Sequence, residues 1–479
     1  MNYKIIKHIL SKVLVIEAFS MIFSLLCAFI YKETKLIPIW LISIFICFAA
    51  SFLISRKSPE NKSFYAKEGF VAVALSWIFL GIFGAIPFFI SGYIPSFIDA
   101  VFETSSGFTT TGASILTNVE ALPKSLLFWR SFTHWIGGMG VLVFLVAILP
   151  LSGGDNFFLI KAESPGPSVS KLVPRVKHTA KILYKIYIVL TFVQIVLLLL
   201  GGMEIFDAIT LSMGTAGTGG FGIKNTSIAD YNTYSQIVIT VFMFIFGVDF
   251  SLYHLLLMGK PGYLLKSDEF KAYFIIVFSS IILIALNCMQ FFSSFWETLK
   301  HSAFQVVSII TTTGYATTNY DKWPEFSKTI ILFLTFVGAC AGSTGGGFKV
   351  SRLVILLKSI AKEIRVSVHP KSTVKLKMNG RLVEHETVRA VNVFMASYII
   401  IFAVSLLLVS IDGKDFTTSF TSVLTTLGNV GPGLAAVGPA GNFSSYSAFS
   451  KIVLTLDMLI GRLEIFPILI LFSSYTRRK

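Results

Sequence analysis

Charge is what this sequence has least of. Asp, Glu, Lys and Arg make up only 14% of 479 residues, 54% are hydrophobic, and the mean hydropathy is +0.76. No soluble fold can cover so apolar a chain with polar surface, and the composition specifies a polytopic membrane protein. Cysteine is also scarce. Cys27, Cys47, Cys288 and Cys340 lie in apolar stretches with no CxxC pair, which excludes a disulfide framework and a thiolate metal site. The seven His residues are scattered, and no His/Cys/Asp/Glu group has metal-binding or catalytic spacing, so no enzyme is expected. A lipid-phosphate transferase would need clustered acids or His at one membrane face. Acids are outnumbered as well, leaving a formal net charge of +15. The bases cluster in alternate loops, the positive-inside signature, which argues against nucleic-acid binding.

What is present is apolar length, interrupted regularly. Runs long enough to cross a bilayer lie near 10–31, 36–55, 70–92, 126–150, 182–202, 235–258, 271–291, 328–360, 388–410 and 450–473. Lys4, Lys7 and Lys12 ahead of the first run resemble a signal peptide. No A-x-A site follows, and Leu26 is too large for a lipoprotein box at Cys27, so an uncleaved first helix is expected. Shorter segments near 97–108, 205–216, 297–310 and 415–427 cannot span and read as re-entrant half-helices.

Each half-helix ends in a small polar segment: Thr109-Thr110-Thr111-Gly112, Thr218-Gly219-Gly220, Thr311-Thr312-Thr313-Gly314 and Gly428-Asn429-Val430-Gly431. The register repeats. Asp99 and Asp207 lie thirteen residues before Gly112 and Gly220, and Phe102 and Phe304 ten before Gly112 and Gly314. Pro123 and Pro324 follow by eleven and ten, just before the next long run. The unit is helix, half-helix, filter, helix. The fold expected is therefore all-α: two N-terminal helices over 1–68, then four pseudo-symmetric repeats over 69–152, 153–260, 261–365 and 366–479 around one pore. Glycine at each segment end permits positive φ, so backbone oxygens of the two preceding residues, with a further site at the first Thr, can replace the hydration shell of an alkali cation. The carbonyl-rich ends of the half-helices would favour positive charge there. Thr and Gly packing between helices is the plainer alternative.

Two further features lie in the later runs. Gly338-Ala339-Cys340-Ala341-Gly342-Ser343-Thr344-Gly345-Gly346-Gly347 interrupts an apolar run, and a flexible gate beneath the filter is expected there. Phe348 separates Gly347 from Lys349, so the phosphate-binding G-x-x-x-x-G-K-S/T pattern fails. Arg462 sits within the last run, either facing the pore or paired with Asp457 or Glu464. Asp249 and Glu17 are candidates for proton coupling or for helix-packing hydrogen bonds, and Gly137-Gly138-Met139-Gly140 for close packing.

Basic residues assign the sides. Lys4, Lys7, Lys12, Arg56, Lys57, Lys62 and Lys67 share one face with Lys161, Lys171, Arg175, Lys177, Lys181, Lys185, Lys260, Lys266 and Lys271. The segment Arg352–Arg389 and Arg477, Arg478 and Lys479 complete it. Both termini are expected in the cytoplasm, with the filters entering from outside. Glu103, Glu120, Asp207, Asp230, Asp321, Glu325 and Asp412 fall on the other side, where acids would concentrate cations at the mouth. The basic segment is the candidate surface for a cytosolic partner.

These segments in order, with the Gly338–Gly347 loop and Gly461-Arg462-Leu463-Glu464, resemble the bacterial Trk/Ktr/HKT potassium transporter superfamily. The Gly428-Asn429-Val430-Gly431-Pro432-Gly433 filter and the two extra leading helices are similar to its TrkH/TrkG branch. The resemblance implies a homodimer in the bacterial inner membrane, passing K⁺ inward through a pore in each subunit. It also implies a cytosolic TrkA-type nucleotide-binding regulatory subunit, and no cofactor in the chain itself beyond K⁺ in the filter. Carried over by position, K⁺ would be held at Thr110, Thr111, Thr218, Gly219, Thr312, Thr313, Asn429 and Val430. The gating loop falls on Gly338, Gly342, Ser343, Thr344, Gly345, Gly346 and Gly347, and the pore charge on Arg462. Gly217 departs from the pattern, where bulkier residues are common, and a looser second filter is expected. A K⁺/H⁺ symporter of the same fold, with Asp249 as a titrating group, is the alternative to a channel-like mechanism.

Overall fold

The computed structural model describes residues 1–55, 66–140 and 176–473. Arg56, Lys57, Lys62, Lys161, Lys171, Arg175, Arg477, Arg478 and Lys479, and the end of the 126–150 run, lie outside the described residues. The chain is a multi-pass bundle of helices, with one short hairpin among the described residues. Two helices lead: α1 (Tyr3–Ile30), capped by Asn2, and α2 (Ile37–Ile54), with proline in its first turn. They pack on each other through a buried Ser11–Ser51 hydrogen bond of 2.9 Å.

Four helix sets follow. In the first, α3 (Ala66–Gly84) and the short α4 (Ile86–Ile90) precede half-helix α5 (Phe97–Phe108) and inner helix α6 (Lys124–Gly138). In the second, α7 (Val176–Leu200) precedes half-helix α8 (Ile205–Gly217) and inner helix α9 (Thr233–Phe246), which continues as α10 (Phe250–Leu257). In the third, α11 (Gly262–Lys266) and α12 (Asp268–Asn287) lead to half-helix α13 (Phe295–Ile310), inner helix α14 (Glu325–Val337) and α15 (Val350–Val368). A hairpin of β1 (Lys377–Met378) and β2 (Arg381–Leu382) leads into the fourth. That set holds α16 (His385–Val409), half-helix α17 (Phe416–Leu427), inner helix α18 (Ala448–Arg462) and α19 (Phe466–Phe472).

Three of the four half-helices start where short polar side chains cap them. Ser96, Ser294 and Asp415 each accept the amide three residues on, satisfying a donor that the helix cannot. Packing between sets is cyclic. Inner helix α6 lies against half-helix α8, α9 against α13, α14 against α17, and α18 returns to α5.

In the second and fourth sets the second long helix differs from the uninterrupted runs expected at 235–258 and 450–473. Helix α9 turns by 91° into α10 at Gly247–Asp249. Helix α18 stops at Arg462, and the backbone passes through positive φ at Glu464 and Ile465 before α19. The break between α14 and α15 falls at the expected Gly338–Gly347 loop. Apolar composition persists through each break because the segment stays buried in protein, so hydropathy carried no sign of the other two.

Candidate functional site

Each half-helix ends in the same backbone figure. The amides of Thr110, Thr218, Thr312 and Asn429 donate to the carbonyl three residues back, at 3.0–3.2 Å. Those of Thr111, Gly219, Thr313 and Val430 reach five residues back, at 2.8–2.9 Å. This is a Schellman cap, which needs a left-handed residue in the middle, usually glycine. Here it is Thr110 (φ 55°), Thr218 (φ 54°), Thr312 (φ 58°) and Asn429 (φ 53°). A β-branched residue in that region costs about 1–2 kcal/mol. That strain recurs at the three threonines, as strain retained at functional sites does, while Asn429, which the left-handed region tolerates, holds the fourth matched position.

Glycine follows two residues later, at Gly112, Gly220, Gly314 and Gly431, again with positive φ. Residues of opposite φ sign thus alternate, which turns successive carbonyls toward one side. A side chain on Gly112 would collide with the carbonyl oxygen of Gly219, one on Gly220 with that of Thr313, and one on Gly314 with that of Val430. A Cβ on Gly431 would stand 2.5 Å from the carbonyl oxygen of Thr111. The contacts run from the first segment to the second, third, fourth and back to the first. Four segments spread over more than three hundred residues therefore close one ring of backbone oxygens. All four glycines also line a single open vestibule.

The hydroxyls of the first Thr are already engaged. Thr109 Oγ1 donates to Ser105 at 2.6 Å and lies 2.8 Å from Thr111 Oγ1, and Thr311 repeats this with Val307 and Thr313. They brace the backbone, the hydrogen of each being spent on the preceding helical turn. Asn429 Nδ2 crosses to Thr111 Oγ1 at 3.0 Å and to Met458 at 2.9 Å, tying the fourth segment to the first.

The mouth differs from expectation. Arg130 and Lys224 are the charged residues lining the vestibule, and no carboxylate joins them among the described residues. Glu103 is buried and paired with Arg130 at 2.8 Å, while its carboxylate accepts from Ser114 and from the Ile115 amide. Arg130 donates onward to Gly222 at 3.1 Å. The pair fastens the chain leaving the first filter to the chain leaving the second. Asp321 accepts the Ala435 amide and Glu120 that of Asn225, so these acids hold loops.

Gly217 does not loosen the second filter. Its missing side chain is the space into which the His134 carbonyl fits, and the His134 ring occupies the space beside Gly219. His134 is fully buried, with Nδ1 2.7 Å from the Gly107 carbonyl and Nε2 accepting the Phe221 amide at 3.3 Å. Nδ1 must then carry the proton, and the ring is a neutral wedge between two filters. A lone His in an apolar run gave no signal of this.

The glycine-rich loop lies directly under the ring. Gly346 N–H donates to Thr312 Oγ1 at 2.7 Å. A side chain on Gly345 would meet the Thr311 carbonyl, and one on Gly346 the Gly428 carbonyl, each at 2.8 Å. Gly338, Gly342 and Gly347 all have positive φ, and Ser343 and Thr344 are buried, with hydroxyls on Cys340 and Phe246 carbonyls. Lys349 is buried too and folds back to the Gly345 carbonyl.

Arg462 donates to Thr344 at 2.8 Å and to the carbonyls of Gly137 and Gly138 at 2.5 and 3.0 Å. It bridges the loop to the end of the first inner helix. The acids weighed as its partners are used elsewhere: Asp457 accepts from Ser405 at 2.6 Å, and Glu464 pairs with Arg352. Gly137 and Gly138 do pack closely, against the Phe108 carbonyl and Gly217. Asp249 caps α10, accepting from the Ser251 amide and hydroxyl at 2.9 and 2.5 Å. Glu17 is buried beside Gly84, and neither carboxyl oxygen has a hydrogen-bond partner among the described residues.

The family model described as TrkH, cation transport protein, matches residues 39–477. The chain belongs to the TrkH family. Members of that family move cations and are not enzymes. The Trk system potassium uptake protein TrkH of Escherichia coli (strain K12) is 36% identical over 480 residues, covering 99% of both chains. TrkG of the same strain, also a Trk system potassium uptake protein, is 32% identical over 99% of this chain and 98% of its own. The crystal structure of the potassium transporter TrkH from Vibrio parahaemolyticus superposes with a TM-score of 0.90 at 33% identity, covering 100% of both chains.

Proposed function

We propose that this chain takes up potassium across a bacterial inner membrane through a channel-like filter formed by Thr109–Gly112, Thr218–Gly220, Thr311–Gly314 and Gly428–Gly431. The observation that carries the reading is the closed glycine ring, in which each filter glycine makes room for a carbonyl oxygen of the next segment. Backbone oxygens of Thr110, Thr111, Thr218, Gly219, Thr312, Thr313, Asn429 and Val430 replace the water around a bare K⁺. The C-terminal ends of four half-helices add negative potential at that point. Relatives named as potassium uptake proteins favour K⁺ as the cargo.

The loop Gly338–Gly347 is the gate and Arg462 its tether. Support comes from the loop's contacts with Thr312 and Asn429 at the lower edge of the ring. Inward flow needs only the membrane potential, about 2.3 kcal/mol per charge per 100 mV. The basic side, with both termini, faces the cytoplasm, and the segment 352–389 receives a TrkA-type regulatory subunit. Two copies form a homodimer with a pore each.

The test is ⁸⁶Rb⁺ flux into proteoliposomes at imposed voltage, with and without Na⁺ and a pH gradient. Uptake that follows voltage and is displaced by K⁺ supports the reading. Uptake indifferent to voltage, or equal competition by Na⁺, removes it.

A further inference from the structure

Two adjacent residues at the start of α12 hold different parts of the molecule. Glu269 Oε1 accepts the Ala341 amide at 2.6 Å and the Ser351 amide at 3.0 Å. One carboxylate oxygen thus ties the first half of the glycine-rich loop to the helix that follows it. Ser351 lies in the first turn of α15, where amides lack helical partners, and the N-cap Lys349 supplies no side-chain bond. Glu269 caps α15 from a neighbouring helix. Lys349 and Arg462 grip the second half of the loop at Gly345 and Thr344, and Glu269 grips the first half at Ala341.

Asp268 faces the hairpin instead. Its Oδ2 accepts from Lys358 Nζ at 2.6 Å and from the Asn379 amide at 3.0 Å, while its own amide donates to Asn379 Oδ1 at 2.7 Å. The hairpin is further held by Met378, buried with Ile355 of α15 and Val391 of α16. Around these anchors Lys371, Lys375, Lys377 and Arg381 are exposed. The hairpin is therefore an accessible basic handle with a fixed attachment.

From this juxtaposition we infer that Asp268–Glu269 is a coupling pair, which carries displacement of the 377–382 hairpin to the loop at Ala341 and to the start of α15 at Ser351, and makes Glu269 a positioning residue for the gate. The inference rests on the loop being a gate. Its physical basis is short. The two residues share one planar peptide in a first turn capped by Ser267, and their side chains leave the helix about 100° apart. A pull on Asp268 cannot be absorbed by flexible chain before it reaches Glu269.

The experiment is basal ⁸⁶Rb⁺ flux of the full chain in proteoliposomes, with K⁺/Na⁺ permeability measured alongside. Glu269→Ala is expected to raise basal flux several-fold at an unchanged permeability ratio, and Glu269→Gln, which keeps an accepting oxygen, to restore the low level. Asp268→Ala is expected to raise flux in the native background and to add nothing in the Glu269→Ala background. Should Glu269→Ala not be recovered folded, Asp268→Ala and Asn379→Ala at the exposed hairpin carry the test, both leaking. Unaltered flux in the hairpin variants, or effects that multiply in the double variant, overturns the coupling. Deleting Gly345–Gly347 separates the two readings. A leaky deletion with a tight Glu269→Ala sinks the coupling alone, whereas a tight deletion sinks the gate and the coupling together.

Discussion

At the scale of single residues, the filter turns on where glycine is used and where it is not. Gly314 has φ 81° and the Val430 carbonyl where a side chain would stand. Gly314→Ser must push that oxygen out of the ring. Its K⁺/Na⁺ permeability ratio is expected to fall about tenfold, the change that 1.4 kcal/mol of differential binding gives; an unchanged ratio counts against the filter. Thr312 is the opposite case. Glycine would relieve its left-handed strain, yet the hydroxyl is what accepts the Gly346 amide. Thr312→Gly is expected to lower the unfolding temperature by what the orphaned Gly346 amide costs, about 1–3 kcal/mol, its backbone terms nearly cancelling at about 1 kcal/mol each, while basal flux rises. His134→Ala leaves the Phe221 amide buried without a partner and the Gly107 carbonyl with backbone donors alone, a loss of about 1–3 kcal/mol. A thermal-shift measurement should register it. The glycines were legible in the sequence because repetition in register exposed them. His134 was not, because a wedge is defined by what it separates, and those residues lie in two different repeats.

At the scale of elements, the informative part is where helices stop. Polar half-helices too short to span stood out among apolar runs, and their limits agree with the sequence reading to within two residues. The break after α14 was legible from its glycines. The breaks at Gly247–Asp249 and Leu463–Ile465 were not, since they are made by a buried cap at Asp249 and by two positive-φ residues that composition does not favour. Of the acids expected at the mouth, Glu103 is consumed by Arg130, a pairing that the loop pattern did not signal. Arg462 joins two of these breaks through carbonyls of Thr344, Gly137 and Gly138. Arg462→Ala is expected to raise conductance by freeing the loop from α6. If the variant is instead recovered only as aggregate on size exclusion, its role is to hold the fold.

At the scale of the whole molecule, cyclic packing of inner helices on half-helices puts one axis through a single chain. A route of this kind predicts currents that reverse at the K⁺ equilibrium potential whatever the pH gradient. A reversal that moves with pH would establish proton coupling. Asp249 is poorly placed for that role, since both its oxygens are spent on Ser251. The cyclic order itself was only half legible. Sequence register gave the repeats, whereas their handshake from Gly112 to Gly219 and onward to Thr111 belongs to tertiary contact.

That the four corners are encoded separately has a genetic corollary. In a symmetric tetramer one codon change alters every corner together, and a harmful allele has no milder form. Here a nucleotide substitution reaches a single corner, so the ring can be altered one quarter at a time, and Gly219 and Val430 already stand where the other two corners carry Thr111 and Thr313.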